Sequence, residues 1–266
     1  AIGAALVAVG PWQSVYWICA AFTLLVLFAS FRLPATMPES ARRELNVREI
    51  ADGFRIVFTT PGTMGYMLAM VGLFAAFISY LASSEIIIDE VFGLGDWFPL
   101  IFGAIAIVMA GAMIVNGRIV EGVGLDRMIR TMVVALLVAD AVLVTIAIAT
   151  GGRPPFALFI LSVAVVIACQ QLLVPNINAA AMRPLAAVAG SAAALLGMVP
   201  MIIGSLLGSV IDRSFNGTIT PTAIGFALSG ILTALGLWWA HSATREPTER
   251  VTPEPAPAWE TVEPGY

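Results

Sequence analysis

The chain has 266 residues, 59% hydrophobic and 11% charged, with a mean hydropathy of +0.95 and a formal net charge of −4. A soluble domain of this size cannot cover its surface with so few polar groups, so a water-soluble globule is excluded. All thirteen basic residues are Arg, and the two cysteines, Cys19 and Cys169, fall inside apolar segments as small hydrophobes rather than as a disulfide or a metal pair.

Apolar segments of about twenty residues recur along the chain, the length a helix needs to cross a hydrocarbon layer roughly 30 Å thick. Residues 1–9 read as the end of a span whose beginning is missing, and the start lacks the basic flank of a signal peptide. The chain therefore reads as the C-terminal part of a longer protein. Gly10-Pro11 makes a turn, Trp12, Tyr16 and Trp17 form an aromatic belt, and a span follows to about Leu33. Within the polar link 34–62, Ile50, Ala51, Phe54, Val57 and Phe58 continue a face begun by Val47, which predicts an amphipathic helix over 46–58 lying on the membrane surface. Asn46 and Glu49 have capping-box spacing, and Pro61-Gly62 ends the link.

Six more spans are predicted at about 63–84, 97–116, 128–149, 155–178, 190–211 and 220–241, followed by a Pro- and Glu-rich tail over 242–266 with the composition of disorder. Alternation places Arg32, Arg42, Arg43, Arg48, Arg55, Arg118, Arg127, Arg130, Arg183, Arg245 and Arg250 on one side, and only Arg153 and Arg213 on the other. The link after the first of the six spans collects Glu85, Asp89, Glu90 and Asp96 instead. Basic residues concentrate on the cytoplasmic side of membrane proteins, so the C-terminus is expected in the cytoplasm.

The motifs add a resemblance. Ala1-Ile2-Gly3-Ala4 resembles the end of the Gly-Pro antiporter motif in the fifth span of major facilitator drug exporters, and Trp12–Trp17 with Arg32-Leu33-Pro34 resembles their sixth span. Ser83-Ser84 with Asp89–Leu94, Val174–Ala179, and Ala189–Gly197 are similar, in that order, to stretches of the Bcr/CflA branch, the bicyclomycin and chloramphenicol resistance type. The resemblance covers nearly all of the chain except the tail. It implies an all-α membrane protein of the major facilitator fold: over 1–33 the end of the fifth and all of the sixth span, then an inter-half loop, then a C-terminal six-helix bundle over 63–241.

What the resemblance implies for particular residues follows. Arg118, Gly124 and Arg127 look like a degraded copy of the superfamily's basic gating loop, with plain anchoring to the cytoplasmic side as the alternative. On the seventh span Tyr66, Met70, Leu73, Phe77 and Tyr80 share one helical face, either packing against neighbours or lining an adaptable drug site. Gln170 and Gln171 lie deep in the tenth span, where at most one is expected to meet substrate, while Asn176 and Asn178 flank a break at Pro175 and are expected to satisfy freed backbone groups. Gly197, Pro200, Gly204 and Gly208 supply packing or a hinge in the eleventh span, with Met198 and Met201 beside them reaching toward the cavity. Asp140, about 15 Å past Arg130 by helical rise, is either a proton-coupling acid or a neutral structural carboxyl. The ninth span of such transporters is peripheral, which favours the structural role.

No nucleophile–base pair, metal-ligand cluster or phosphate-binding loop is apparent in the sequence, so no enzyme and no cofactor is expected. The expected function is export of drugs or amphiphilic small molecules by proton antiport through alternating access. Export of an endogenous metabolite or a self-made antibiotic, and a non-transporting membrane scaffold or sensor, are the alternatives. The expected partners are the bilayer of a bacterial cell membrane, a small-molecule substrate, protons and the N-terminal half of the same polypeptide, without which the fragment should not transport.

Overall fold

The computed structural model describes residue 3 and residues 10–32 and 47–243. Eight helices are described in chain order: α1 (Gln13–Ser30), α2 (Val47–Thr59), α3 (Pro61–Ile86), α4 (Phe98–Val123), α5 (Leu125–Ala149), α6 (Phe156–Met182), α7 (Ala189–Arg213) and α8 (Thr220–Ala243). No strand occurs among the described residues. Helices α1, α3, α4, α5 and α8, and the continuous helical run that contains α6 and α7, are long and apolar enough to cross a membrane. The expected end of a fifth span, the Asn46 cap and the tail beyond Ala243 lie outside the described residues, Gly3 aside.

Each predicted span that falls on described residues coincides with a helix, with shifted ends. Pro61 belongs to α3 rather than to the link, because its missing N–H is no loss in a first helical turn. The link after the seventh span is helical through Ile86 and continues as a wider turn over Ile87–Val91. Between α6 and α7 the expected connection is a tight helical segment over Arg183–Val188. Pro175 does not break α6.

Helix α3 is the hub of the bundle. It packs most extensively on α8, then on α7, and also meets α6. Small residues allow the α3–α8 approach: a Cβ on Gly72 would lie 2.5 Å from the Ser229 carbonyl, and Gly65 faces Gly236 and Ala240 across the seam. Without a hydrophobic drive inside lipid, such close backbone contact and interhelical hydrogen bonds hold helices together. Thr233 supplies one, donating to the Ala69 carbonyl at 3.2 Å. Helices α5 and α6 form a second tight pair, and α5 also meets α8.

Helix α2 packs part of its apolar face on the end of the bundle. Val57 is fully buried and Phe54 half-buried against Met67, Ala181, Leu185 and Leu195 of the bundle end, while Ile50 and Phe58 stay exposed. Gly53 sits directly against Ser191. The apolar face is thus shared between the bundle and its surroundings. Helix α1 has no buried residue, and α4 has only two, Ile105 and Asn116.

Candidate functional site

The residues expected to form one binding face are divided by the fold among three places. Met70, Leu73 and Tyr80 are buried in the main core. Phe77 lines a cleft together with Phe74, Gln170, Gln171 and Val174. Tyr66 lies at the α2 end, in a groove shared with α5 and α8. The physical reason is the hub position of α3: with neighbours on several sides, its 3.6-residue periodicity selects no single open face.

In the cleft, α3 contributes two rings and α6 two amides. Gln170 is only 3% exposed and its Oε1 has no hydrogen-bond partner, so an acceptor stands ready for a donor from a ligand or water. Gln171 lines the same cleft. Neighbours on a helix diverge by about 100°, but two long amide side chains can converge on a cleft lying between their directions. Met198 and Met201 are 50% and 55% exposed on α7 and are not among the residues lining this cleft.

Tyr80 stacks on Phe102 of α4, ring centroids 5.7 Å apart and planes 5° from parallel. Its hydroxyl and that of Ser84 are buried without partners, and both side chains line an internal cavity at the opposite end of the bundle from α2, with Ser83, Thr222 and a wall of apolar residues. Beside it, Ser79 donates to Asp212 of α7 at 2.6 Å, and Ser83 donates to the same oxygen. The sequence reading passed over this cluster. Its available signal was two serines spaced i, i+4 on α3 and an acid at the end of an apolar segment.

Gly204 and Gly208 carry the expected close packing, and their partner is α3: Cβ atoms there would lie 2.6 Å from Phe74 Cβ and 3.0 Å from the Ala75 carbonyl. Gly197 meets open space, which removes it from the packing set among the described residues. Helix α7 runs through the buried Pro200 without interruption.

At the α2 end, Gly124 forms the α4–α5 turn with φ +84°, a conformation suited to glycine. Arg118 and Arg127 are exposed. An ion pair in this region joins Asp126, at the start of α5, to Arg183, just beyond α6, at 3.3 Å. Asn116 near the end of α4 accepts from Asn176 of α6 at 2.6 Å, and the same Asn176 amide also reaches the Leu172 carbonyl. That side chain bonds a backbone carbonyl near Pro175, though not the Gln171 carbonyl that the proline leaves without its helical donor, and it also ties two helices. Asn178 is exposed.

Asp140 is 2% exposed and neither carboxyl oxygen has a hydrogen-bond partner. It points at Gly230 of α8, where the absence of a side chain leaves room for Oδ2. It lines neither the Phe77–Gln170 cleft nor the Tyr80–Ser84 cavity.

Residues 1–209 match the profile of the Major Facilitator Superfamily. Over 217 residues the chain is 24% identical to an uncharacterised MFS-type transporter, YdgK, of Bacillus subtilis, covering 80% of this chain and 53% of that protein. Over 243 residues it is 23% identical to a bicyclomycin resistance protein homolog of Haemophilus influenzae, covering 91% of this chain and 60% of the relative. The chain thus spans little more than half the length of these curated relatives. No solved structure matches it. With the family profile reaching from the first residue almost to the end of α7 and a bundle of apolar helices packed through small residues, the chain belongs to the Major Facilitator Superfamily.

Proposed function

We propose that the whole polypeptide exports drugs or other amphiphilic small molecules across a bacterial cell membrane, in exchange for protons and by alternating access. The observation that carries this reading is the cleft between α3 and α6, where Phe74 and Phe77 offer rings and Gln170 offers an unpartnered buried acceptor. Aromatic walls with few polar groups suit varied, largely apolar ligands. The similarity to a protein named for bicyclomycin resistance supports the drug-export direction. In this reading Phe77, Gln170 and Gln171 contact substrate, and the α2 end, with Arg118, Arg127, Arg130 and Arg183, faces the cytoplasm. Transport belongs to both halves together, since alternating access works by movement of one helical bundle against the other.

The test is drug susceptibility of an efflux-deficient host expressing the full-length protein, with and without a protonophore. Resistance to several unrelated amphiphilic compounds, abolished by the protonophore, is expected. Unchanged susceptibility from well-expressed protein would overturn the reading.

A further inference from the structure

A groove opens between α3, α5 and α8 at the α2 end of the bundle. Its apolar lining includes Ile129 and Val133 of α5 and Ala234 and Leu237 of α8, and Arg130 and Trp238 join them. Trp238 is 72% exposed, although an indole is amphipathic and settles where an apolar layer meets water. The groove also contains an acid, Asp126, but that carboxylate is paired with Arg183 at 3.3 Å. Among the described residues Arg130 makes no ion pair, and its Nε donates to the backbone carbonyl of Asp126 at 3.4 Å.

An apolar trough that also carries a cation and an indole complements an amphiphile with an anionic head. The same helix end carries Arg127, exposed, one turn away. Helices α5 and α8 also expose Val134, Val138, Ile231 and Leu235, so both present apolar surface to their surroundings. We infer that this groove binds an anionic phospholipid, with the lipid phosphate at Arg130 and an acyl chain along Val133 and Leu237. Basic pockets between helices near a membrane surface select such headgroups through charge, and the trough adds the hydrophobic part of the contact. The inference does not rest on what the protein exports, and lipid retention is measured without transport.

The experiment is native mass spectrometry of the full-length protein in detergent, offered palmitoyl-oleoyl phosphatidylglycerol and the matching phosphatidylcholine in equal amounts. The wild-type protein should retain phosphatidylglycerol preferentially, and Arg130→Gln should lower that preference about fivefold. Arg118→Gln, outside the groove, should leave it unchanged, and Ala234→Phe should lower retention by filling the trough. An unchanged preference in Arg130→Gln would overturn the inference, as would an equal loss in Arg118→Gln, which would mark diffuse attraction. Displacement of the lipid by millimolar inorganic phosphate would reassign the groove to free anions. If Arg130→Gln does not fold, Ala234→Phe carries the test, and undiminished retention there overturns the acyl-chain placement.

Discussion

Replacing Gly230 by Ala tests the packing of Asp140, the most deeply buried acid among the described residues. A Cβ at that position would overlap Oδ2 of Asp140 and lie 3.4 Å from its Cγ and 3.6 Å from Cδ2 of Leu137. Asp140 is 2% exposed, so its carboxyl must turn into space already filled on the α5 side. An off-rotamer side chain costs about 0.5–1.5 kcal/mol and overpacking a tight interior about 1–3 kcal/mol. A destabilisation of about 2 kcal/mol is the central expectation, which for a unit of this size lowers Tm by roughly 4–8 °C. Asp140→Ala should behave oppositely, since it removes a buried carboxyl whose oxygens have no partners; its Tm should be unchanged or higher. The double variant should recover most of the loss, a coupling of about 1–2 kcal/mol. The assay is thermal unfolding of the full-length protein in detergent, followed by size-exclusion chromatography across a temperature series. Equal loss from Gly230→Ala with and without the Asp140 side chain would refute the reasoning, because the clash would then not be with the carboxyl.

Three further outcomes follow from contacts described above. Ser79→Ala with Ser83→Ala strips the donors from Asp212 at the α3–α7 junction and should cost about 1–3 kcal/mol, read as a Tm drop of several degrees; Asp212→Ala added to that pair should lower Tm little more. Gly124→Ala places a side chain at φ +84° and should destabilise by about 1–3 kcal/mol, with an unchanged Tm refuting the strain. Gln170→Leu should narrow resistance selectively, raising susceptibility to compounds that carry a hydrogen-bond donor more than to purely apolar dyes, whereas Met198→Leu should shift both groups equally or not at all.

The architecture was legible because lipid enforces a simple rule: each crossing needs a helix of about twenty apolar residues, and this sequence repeats that length with polar punctuation. Helix ends were less legible. Ser83 and Ser84 read as the close of a span and Glu85 as the start of a link, yet Ser83 donates into Asp212 and the helix continues past them. The binding face was only half readable. Periodicity placed Tyr66, Met70, Phe77 and Tyr80 together, whereas neighbours on several sides of α3 decide which of them is open, and that depends on contacts remote in sequence. Gly204 and Gly208 were readable as a close-packing pair because their spacing is local; that the surface they meet is Phe74 and Ala75 was not. Asp126 escaped notice beside Arg127, since its partner Arg183 lies 57 residues away.

The seam between α3 and α8 also sets a timetable for synthesis. Thr233 bonds to Ala69 across 164 residues, so the first and last helices of the bundle are each other's main neighbours. At about 5–20 residues per second, α3 leaves the ribosome roughly ten to thirty seconds before its partner exists. During that interval Gly65, Gly72 and the Ala69 carbonyl have no α8 to receive them. The helix that organises the finished bundle is therefore the one that waits longest, and an insertase or another membrane chaperone holding nascent spans would have its largest effect on this seam.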